Sequence, residues 1–318
     1  MMRHLKQAEL RTGDVLEIDV VECPDVQHAE ELSLFYAHKE EHWLWQIEAS
    51  LRRPMDDLET RYYTGRVSGD LAGAVCAYEC KGIGIFSHVY TEPRWRGRGI
   101  ASRVTSALLP DFAARGGRFL ALGTDFGSQA YRIYERAGFR SVSPESGTMV
   151  WEARPGAFEQ YFEPQPCRAV DIAWRHWPLL CALMTTEAGG IYAKNWYQHP
   201  WIWFENDFLL VMQQQARGEL RARVLEGDRG GALGFAFLSL RWPGQDEWQL
   251  TIYAYPGLWN QAGLLLESLG ELPPRTRCYA DPNTERFDLL KSVGFRELAR
   301  LENRWGRDRT GAMVLLIN

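Results

Sequence analysis

Three arginines and two glycines fall within the six residues "RWRGRG", Arg94 to Gly99, between an apolar–aromatic run, "GIGIFSHVY", and a stretch with helical spacing, "IASRVTSALL". A tight turn that leaves the C-terminal end of a strand and opens a helix presents several backbone N–H groups in one direction. The helix dipole adds partial positive charge at the same place. Gly97 and Gly99 let the backbone approach an anion without Cβ interference. Arg94, Arg96 and Arg98 raise the local potential. Such a turn suits a phosphate or pyrophosphate; the plain alternative is a solvated basic turn. Two other anion loops do not fit. The phosphate loop of nucleotide triphosphatases needs Gly-Lys-Ser/Thr, and no lysine stands here. A dinucleotide fingerprint wants a third glycine after the first strand, whereas Ser102 stands in that place, the turn follows a mid-domain strand, and Asp125 comes late for the usual acid.

The elements that must position this turn are set by periodicity. "VLEIDVVEC" alternates as a strand, and "DVQHAEELSLFYAHKEEHWLWQIEASLRR" carries helical spacing as two short helices. "RYYTGRVSGDLAGAVCAYEC" reads as a hairpin turning at Ser68-Gly69-Asp70. After the turn comes a helix from about Ile100 to Ala114, a short strand "RFLALGT", and a helix "SQAYRIYERAG" stopped by Gly138. "EARPGAFEQYFEPQP", Glu152 to Pro166, is rich in proline, glycine and glutamate and reads as a linker.

The second half of the chain repeats the first. "TDFGSQAYRIYERAGFRSV" aligns with "ADPNTERFDLLKSVGFREL" at an offset of 156 residues, with Asp125 on Asp281, Tyr131 on Phe287, Tyr134 on Leu290 and Gly138-Phe139 on Gly294-Phe295. A period that long is a duplicated domain rather than a solenoid.

"RWRGRGIA" resembles the R/Q-x-x-G-x-G/A signature of the GCN5-related N-acetyltransferases (GNAT), with Arg94, Gly97 and Gly99 at the signature positions. "AYRIYERAGF" resembles the family's A-x-x-x-Y-x-x-x-G-F element, with Ala130, Tyr134, Gly138 and Phe139 in place. The resemblance implies an α/β (α+β) fold of two tandem GNAT domains, each a mixed, mostly antiparallel sheet flanked by helices. It implies a catalytic domain over 1–152, a linker over 153–166 and a degenerate copy over 167–318.

It also implies acetyl-CoA as co-substrate. The pyrophosphate would lie on the turn, at Arg94, Arg96, Gly97, Arg98, Gly99, Ile100 and Ala101. The pantetheine arm would lie along Val89, Tyr90 and Thr91, with Ala130 and Ser128 on the next helix; Gly127 stands where the family often has an asparagine, a place Ser128 or a backbone group could fill. Tyr134 holds the family's position for the acid that protonates the departing thiolate. The acceptor amine must lose a proton first. His88 and Glu92 share a parity on the strand into the turn and are the candidates for that base, beside a water chain.

The second copy has "YPGLWNQAG" where the first has "RWRGRGIAS", and Leu290 cannot donate a proton, so that half is expected to be non-catalytic. Nine of the thirteen tryptophans lie in it, several in "NWYQHPWIWFEND", as core or as an aromatic wall beside an acceptor.

With 46% hydrophobic residues and a net charge of −5, the chain builds a large core and is not a general nucleic-acid binder. The start "MMRHLKQAEL" lacks a signal-type apolar stretch, and no run is long enough for a membrane span, so the expectation is a cytoplasmic protein, monomer or homodimer. Six cysteines without CxxC or zinc spacing read as reduced thiols. "HKEEH" places His38 and His42 at i, i+4 of a helix, but Lys39 stands where a zinc peptidase needs glutamate, and no metal is expected. The leading function is acetyl transfer to the primary amine of a small molecule. A protein or peptide acceptor, a longer acyl donor and a non-catalytic acyl-CoA-binding module are the alternatives.

Overall fold

The computed structural model describes residues 1–186, 204–240, 247–305 and 311–318. The chain divides into two compact units: Met1–Tyr161 with Trp174–Thr185, and Phe162–Ala173 with Thr186–Asn318.

The first unit runs β1 Met2–Glu9, β2 Val15–Glu22, α1 Ala29–Phe35, α2 Glu41–Arg52, β3 Glu59–Val67, β4 Asp70–Cys80, β5 Ile83–Thr91, α3 Ile100–Ala114, β6 Phe119–Gly123, α4 Gln129–Arg136, β7 Arg140–Ser141, β8 Thr148–Glu152, α5 Ala157–Tyr161 and α6 His176–Thr185. Its sheet has the order β1-β2-β3-β4-β5-β6-β8-β7. Neighbours are antiparallel except β5 and β6, which are parallel. The parallel step needs a crossover, and α3 supplies it. Ile100, Val104, Leu108 and Phe112, spaced four apart, are all buried and bring α3 down on Ile18, Val20, Val75 and Ala77 of the sheet. Each side chain contributes about 1.5–3 kcal/mol by leaving water. Pro110 lacks the N–H that Ser106 would receive inside the helix. Lys6 of β1 reaches that carbonyl at 3.3 Å.

The opposite face is aromatic. Tyr36, Tyr62 and Tyr78 are fully buried there, and Trp177 of α6 lies 4.4 Å from the Tyr78 ring and 6.0 Å from Trp43. Hence a helix read from sequence as part of the second half packs in the first unit. The stretch read as a linker carries α5, because Phe158 and Tyr161, three apart, both pack edge-on against Phe119 at 5.2 and 5.5 Å.

The second unit runs β9 Cys167–Asp171, α7 Phe204–Ala216, β10 Leu220–Gly227, β11 Ala232–Leu240, β12 Trp248–Ala254, α8 Gly263–Leu269, β13 Arg277–Ala280, α9 Glu285–Ser292, β14 Arg296–Trp305 and β15 Gly311–Ile317. Its sheet order, β14-β15-β13-β12-β11-β10-β9, with β12 parallel to β13, reproduces strands β2–β8 of the first unit. The repeat holds in detail. Helices α4 and α9 have the same offset as their sequences, and Ser128 and Thr284 each cap them by accepting the N–H of Tyr131 and Phe287. Both units are therefore α/β, each with a mixed sheet flanked by helices. The first nine residues of the tryptophan-rich stretch, 195–203, with all three of its tryptophans, lie outside the described residues.

Candidate active site

Past β5 the chain makes one 3-10 turn, Pro93–Trp95, and reaches Gly97 and Gly99 at φ +78° and +93°. Both backbones are left-handed, the region that L side chains resist. A Cβ at Gly97 would meet nothing within 4 Å, and one at Gly99 only the Arg11 side chain at 3.9 Å. Gly99 caps α3 without a side-chain bond, and none of the N–H groups of Gly97, Arg98, Gly99 and Ile100 bonds to another group among the described residues. The result is bare backbone at the positive end of a 15-residue helix with space in front of it.

The arginines are already engaged. Arg94 Nη2 donates to Asp70 at 3.1 Å, Arg98 Nη1 to Asp14 at 3.2 Å, and Arg96 Nε to the Thr91 carbonyl at 3.0 Å. Arg98 also lies over the Trp95 ring at 4.6 Å. They brace the turn as much as they charge it. Arg11, whose N–H bonds the Arg98 carbonyl at 3.3 Å, adds a cation from the β1–β2 turn. Sequence spacing gave no sign of it, because a strand pairing brings it there.

The second part of the site is a parting in the sheet. β5 pairs with β6 only over Ile83, Gly84 and Ile85, so Val89, Tyr90 and Thr91 form an unpartnered strand edge in the middle of the sheet. On the β4 side the register slips: Ser87 faces Cys76 and Tyr90 faces Ala74, leaving His88 and Val89 against the single residue Val75. This is a β-bulge, and His88 takes φ +51°.

His88 is buried. Its ring packs among Trp43, Tyr36 and Tyr78, with centroids 4.6, 5.6 and 5.8 Å away, and Nε2 has no hydrogen-bond partner among the described residues. Burial, with Lys39 and His38 adding smaller effects, pushes its pKa down to about 3. Glu92 is half-buried just beyond β5, its N–H on the Ala72 carbonyl at 3.0 Å. His38 lies in the connection between α1 and α2 rather than on a helix with His42, which starts a different helix; the i, i+4 arrangement read from sequence does not form. The His38 ring instead stacks on Tyr90 at 4.0 Å, beside Phe35. Burial first, then Lys39, lowers its pKa. No group able to hold a metal occurs among the described residues.

Helix α4 flanks the parting. Tyr134 packs on Phe86 and Phe139 at 5.2 and 6.0 Å, and its hydroxyl has no hydrogen-bond partner among the described residues. Burial raises its pKa, which keeps the phenol protonated at neutral pH. Ala130 is half-buried against the same core. Ser128 spends its hydroxyl on capping α4, accepting the Tyr131 N–H at 3.1 Å, and Gly127 beside it is exposed. The structure packs Tyr134 against Phe86 of β5, in the core that α3 covers, and packs His88 among Tyr36, Trp43 and Tyr78 on the other face of the sheet.

A family model described as an acetyltransferase (GNAT) domain matches residues 25–148. The first unit carries a GNAT acetyltransferase domain. The match spans α1 to β8 and includes the turn, the bulge and Tyr134, and the GNAT domain is an acyl-CoA N-acyltransferase by family. Solved structures are similar at low identity. A ribosomal-protein-alanine N-acetyltransferase from Brucella melitensis is 18% identical, covers 47% of this chain and 98% of its own, and has a TM-score of 0.36. A GNAT-family N-acetyltransferase from Escherichia coli, solved with CoA, is 17% identical, covers 49% and 88%, and has a TM-score of 0.37. No curated protein matches the sequence.

Proposed function

We propose that the chain is an acetyl-CoA-dependent N-acetyltransferase acting on the primary amine of a small molecule, by direct attack in a ternary complex held by the first unit. The observation that carries this reading is the conjunction of bare backbone at the N-terminus of α3 with the unpartnered edge Val89–Thr91 and the Tyr134 phenol. These residues fit the three parts of acetyl-CoA. The α3 turn would hold the pyrophosphate at Gly97 to Ala101, with Arg94, Arg96, Arg98 and Arg11 around it. The strand edge would pair with the amides of the pantetheine arm, as an added strand does. Acetyl-CoA supplies the acetyl group as a thioester.

Glu92, beside the end of that edge, is assigned the proton of the incoming ammonium; His88 is too weak a base and too enclosed for that task. The neutral nitrogen then bonds to the acetyl carbon, the carbon–sulfur bond breaks, and the Tyr134 hydroxyl gives its proton to the sulfur. A thiolate in the same low-dielectric site has its own proton affinity raised, which keeps the transfer matched to a buried phenol. Phe35, His38 and Tyr90 make a compact aromatic cluster at the acceptor end, suited to a small molecule.

Four features support a non-catalytic second unit. Leu290 stands at the Tyr134 position. β12 keeps an unbroken register with β11, so it has no bulge. The 3-10 turn Trp259–Gln261 runs straight into α8, and the N–H groups of Gln261 and Ala262 are taken by Leu258 and Trp259. Arg286, at the position of Ala130, is 2% exposed, with Nη2 3.6 Å from Sγ of Cys278. Cys278 is the last β13 residue paired with β12, so this side chain fills the place where those strands part.

The test is thiol release from acetyl-CoA with a panel of small primary amines. Turnover lost in Gly99→Asp supports the reading; no release with any amine overturns it.

A further inference from the structure

The mechanism leaves His88 without a chemical task, although it is a non-glycine residue at φ +51° in the middle of a strand. Its carbonyl receives a side-chain donor. Tyr36, at the C-terminal end of α1, donates its hydroxyl to that oxygen at 3.0 Å. Tyr36 is itself 0% exposed, so this bond is shielded from water. The imidazole is gripped as well, by Tyr36, Trp43 and Tyr78, with Trp177 of α6 lying behind Tyr78 and Trp43. A left-handed residue in a bulge persists only where the surroundings over-determine it, and this one is held at both its carbonyl and its ring.

We propose that Tyr36 is a positioning residue: its hydroxyl holds the His88 carbonyl, locks the bulge, and so fixes the edge Val89–Thr91 in the conformation that receives the acyl donor. The bulge is where β5 changes from pairing with β6 to standing open, and the residues just past it are the ones assigned to the pantetheine arm. Without the Tyr36 bond the left-handed turn at His88 loses the side-chain restraint on its carbonyl, and the edge relaxes toward a regular register. This rests on the acetyl-CoA reading for its ligand, but the geometry it concerns belongs to the protein alone.

Tyr62 provides the control. It is as buried as Tyr36 and lies 5.9 Å from it, but its hydroxyl pairs with Ser50 of α2 at 3.3 Å rather than with β5. In the full-length protein, Tyr36→Phe and Tyr62→Phe each remove one buried hydroxyl from the same core. Amide exchange of Ser87 to Thr91 and calorimetric binding of acetyl-CoA would be measured for both. Tyr36→Phe is expected to speed exchange at those amides by about tenfold and to weaken acetyl-CoA binding by about fivefold to tenfold, the size of one buried hydrogen bond. Tyr62→Phe is expected to leave both within about twofold, whatever it does to overall stability. Equal exchange in the two variants, or equal loss of binding in the two, would overturn the proposal. Wild-type protein that fails to bind acetyl-CoA would sink the acetyl-CoA reading itself, and the exchange comparison would still decide the role of Tyr36.

Discussion

At the scale of single residues, the histidine and tyrosine candidates separate by environment. Tyr134 is protonated and buried against Phe86 of β5; Tyr134→Phe keeps that packing and removes only the hydroxyl. Steady-state kinetics should show kcat down by about 10²–10³ with acetyl-CoA affinity within about twofold. His88 has a folded-state pKa of about 3 against 6.5 for an exposed histidine. The unfolded chain therefore binds a proton that the folded one refuses. Stability is lost as pH falls from about 6.5 towards 3, at up to about 1.4 kcal/mol per pH unit.

Asp207 of α7 has the opposite sign. It is buried, Oδ1 has no partner among the described residues, and burial raises its pKa to about 7. The folded state keeps a proton that the unfolded chain gives up, so stability falls as pH rises from about 3.8 to about 7. Asp207→Asn should melt higher than wild type at pH 8 and keep only part of that gain at pH 5, in paired thermal scans. Spacing alone makes both His88 and Glu92 candidates, His88 the stronger by its ordinary pKa, since alternation says which residues share a face but not what covers that face.

At the scale of elements, the two ends of the site were legible to different degrees. The bounds of α3 and the glycine turn could be read directly, because a turn and a helix cap are made by local residue types. The bulge at His88 could not. It exists because Ser87 and Tyr90 pair with Cys76 and Ala74, and a register slip leaves no mark in composition. Helix α5 was hidden by the prolines and glycine that flank it, though Phe158 and Tyr161 carried the aromatic spacing. Trp177 shows what α6 contributes. It is fully buried against Tyr78, so Trp177→Ala should cost about 3–5 kcal/mol in urea melts. That loss belongs to the unit holding the GNAT domain. A melt in which that unit keeps its midpoint would remove α6 from its core.

At the scale of the whole molecule, the duplication was readable from one motif pair, and the second sheet repeats the order of β2–β8 in the first. The expectation that the second copy is non-catalytic rests, in the sequence, on losses: no arginine turn, no tyrosine at 290. The structure adds a substitution with volume, Arg286 buried where the first unit has Ala130. The chain is thus expected to bind one acetyl-CoA, not two. Calorimetric titration of acetyl-CoA into the full-length protein, with Gly99→Asp in parallel, tests this most directly. The expected result is a single site per chain in wild type and none in the variant, because an aspartate at the φ +93° helix cap strains the turn and places a negative charge at the proposed pyrophosphate site. Two sites, or binding that survives Gly99→Asp, would contradict it.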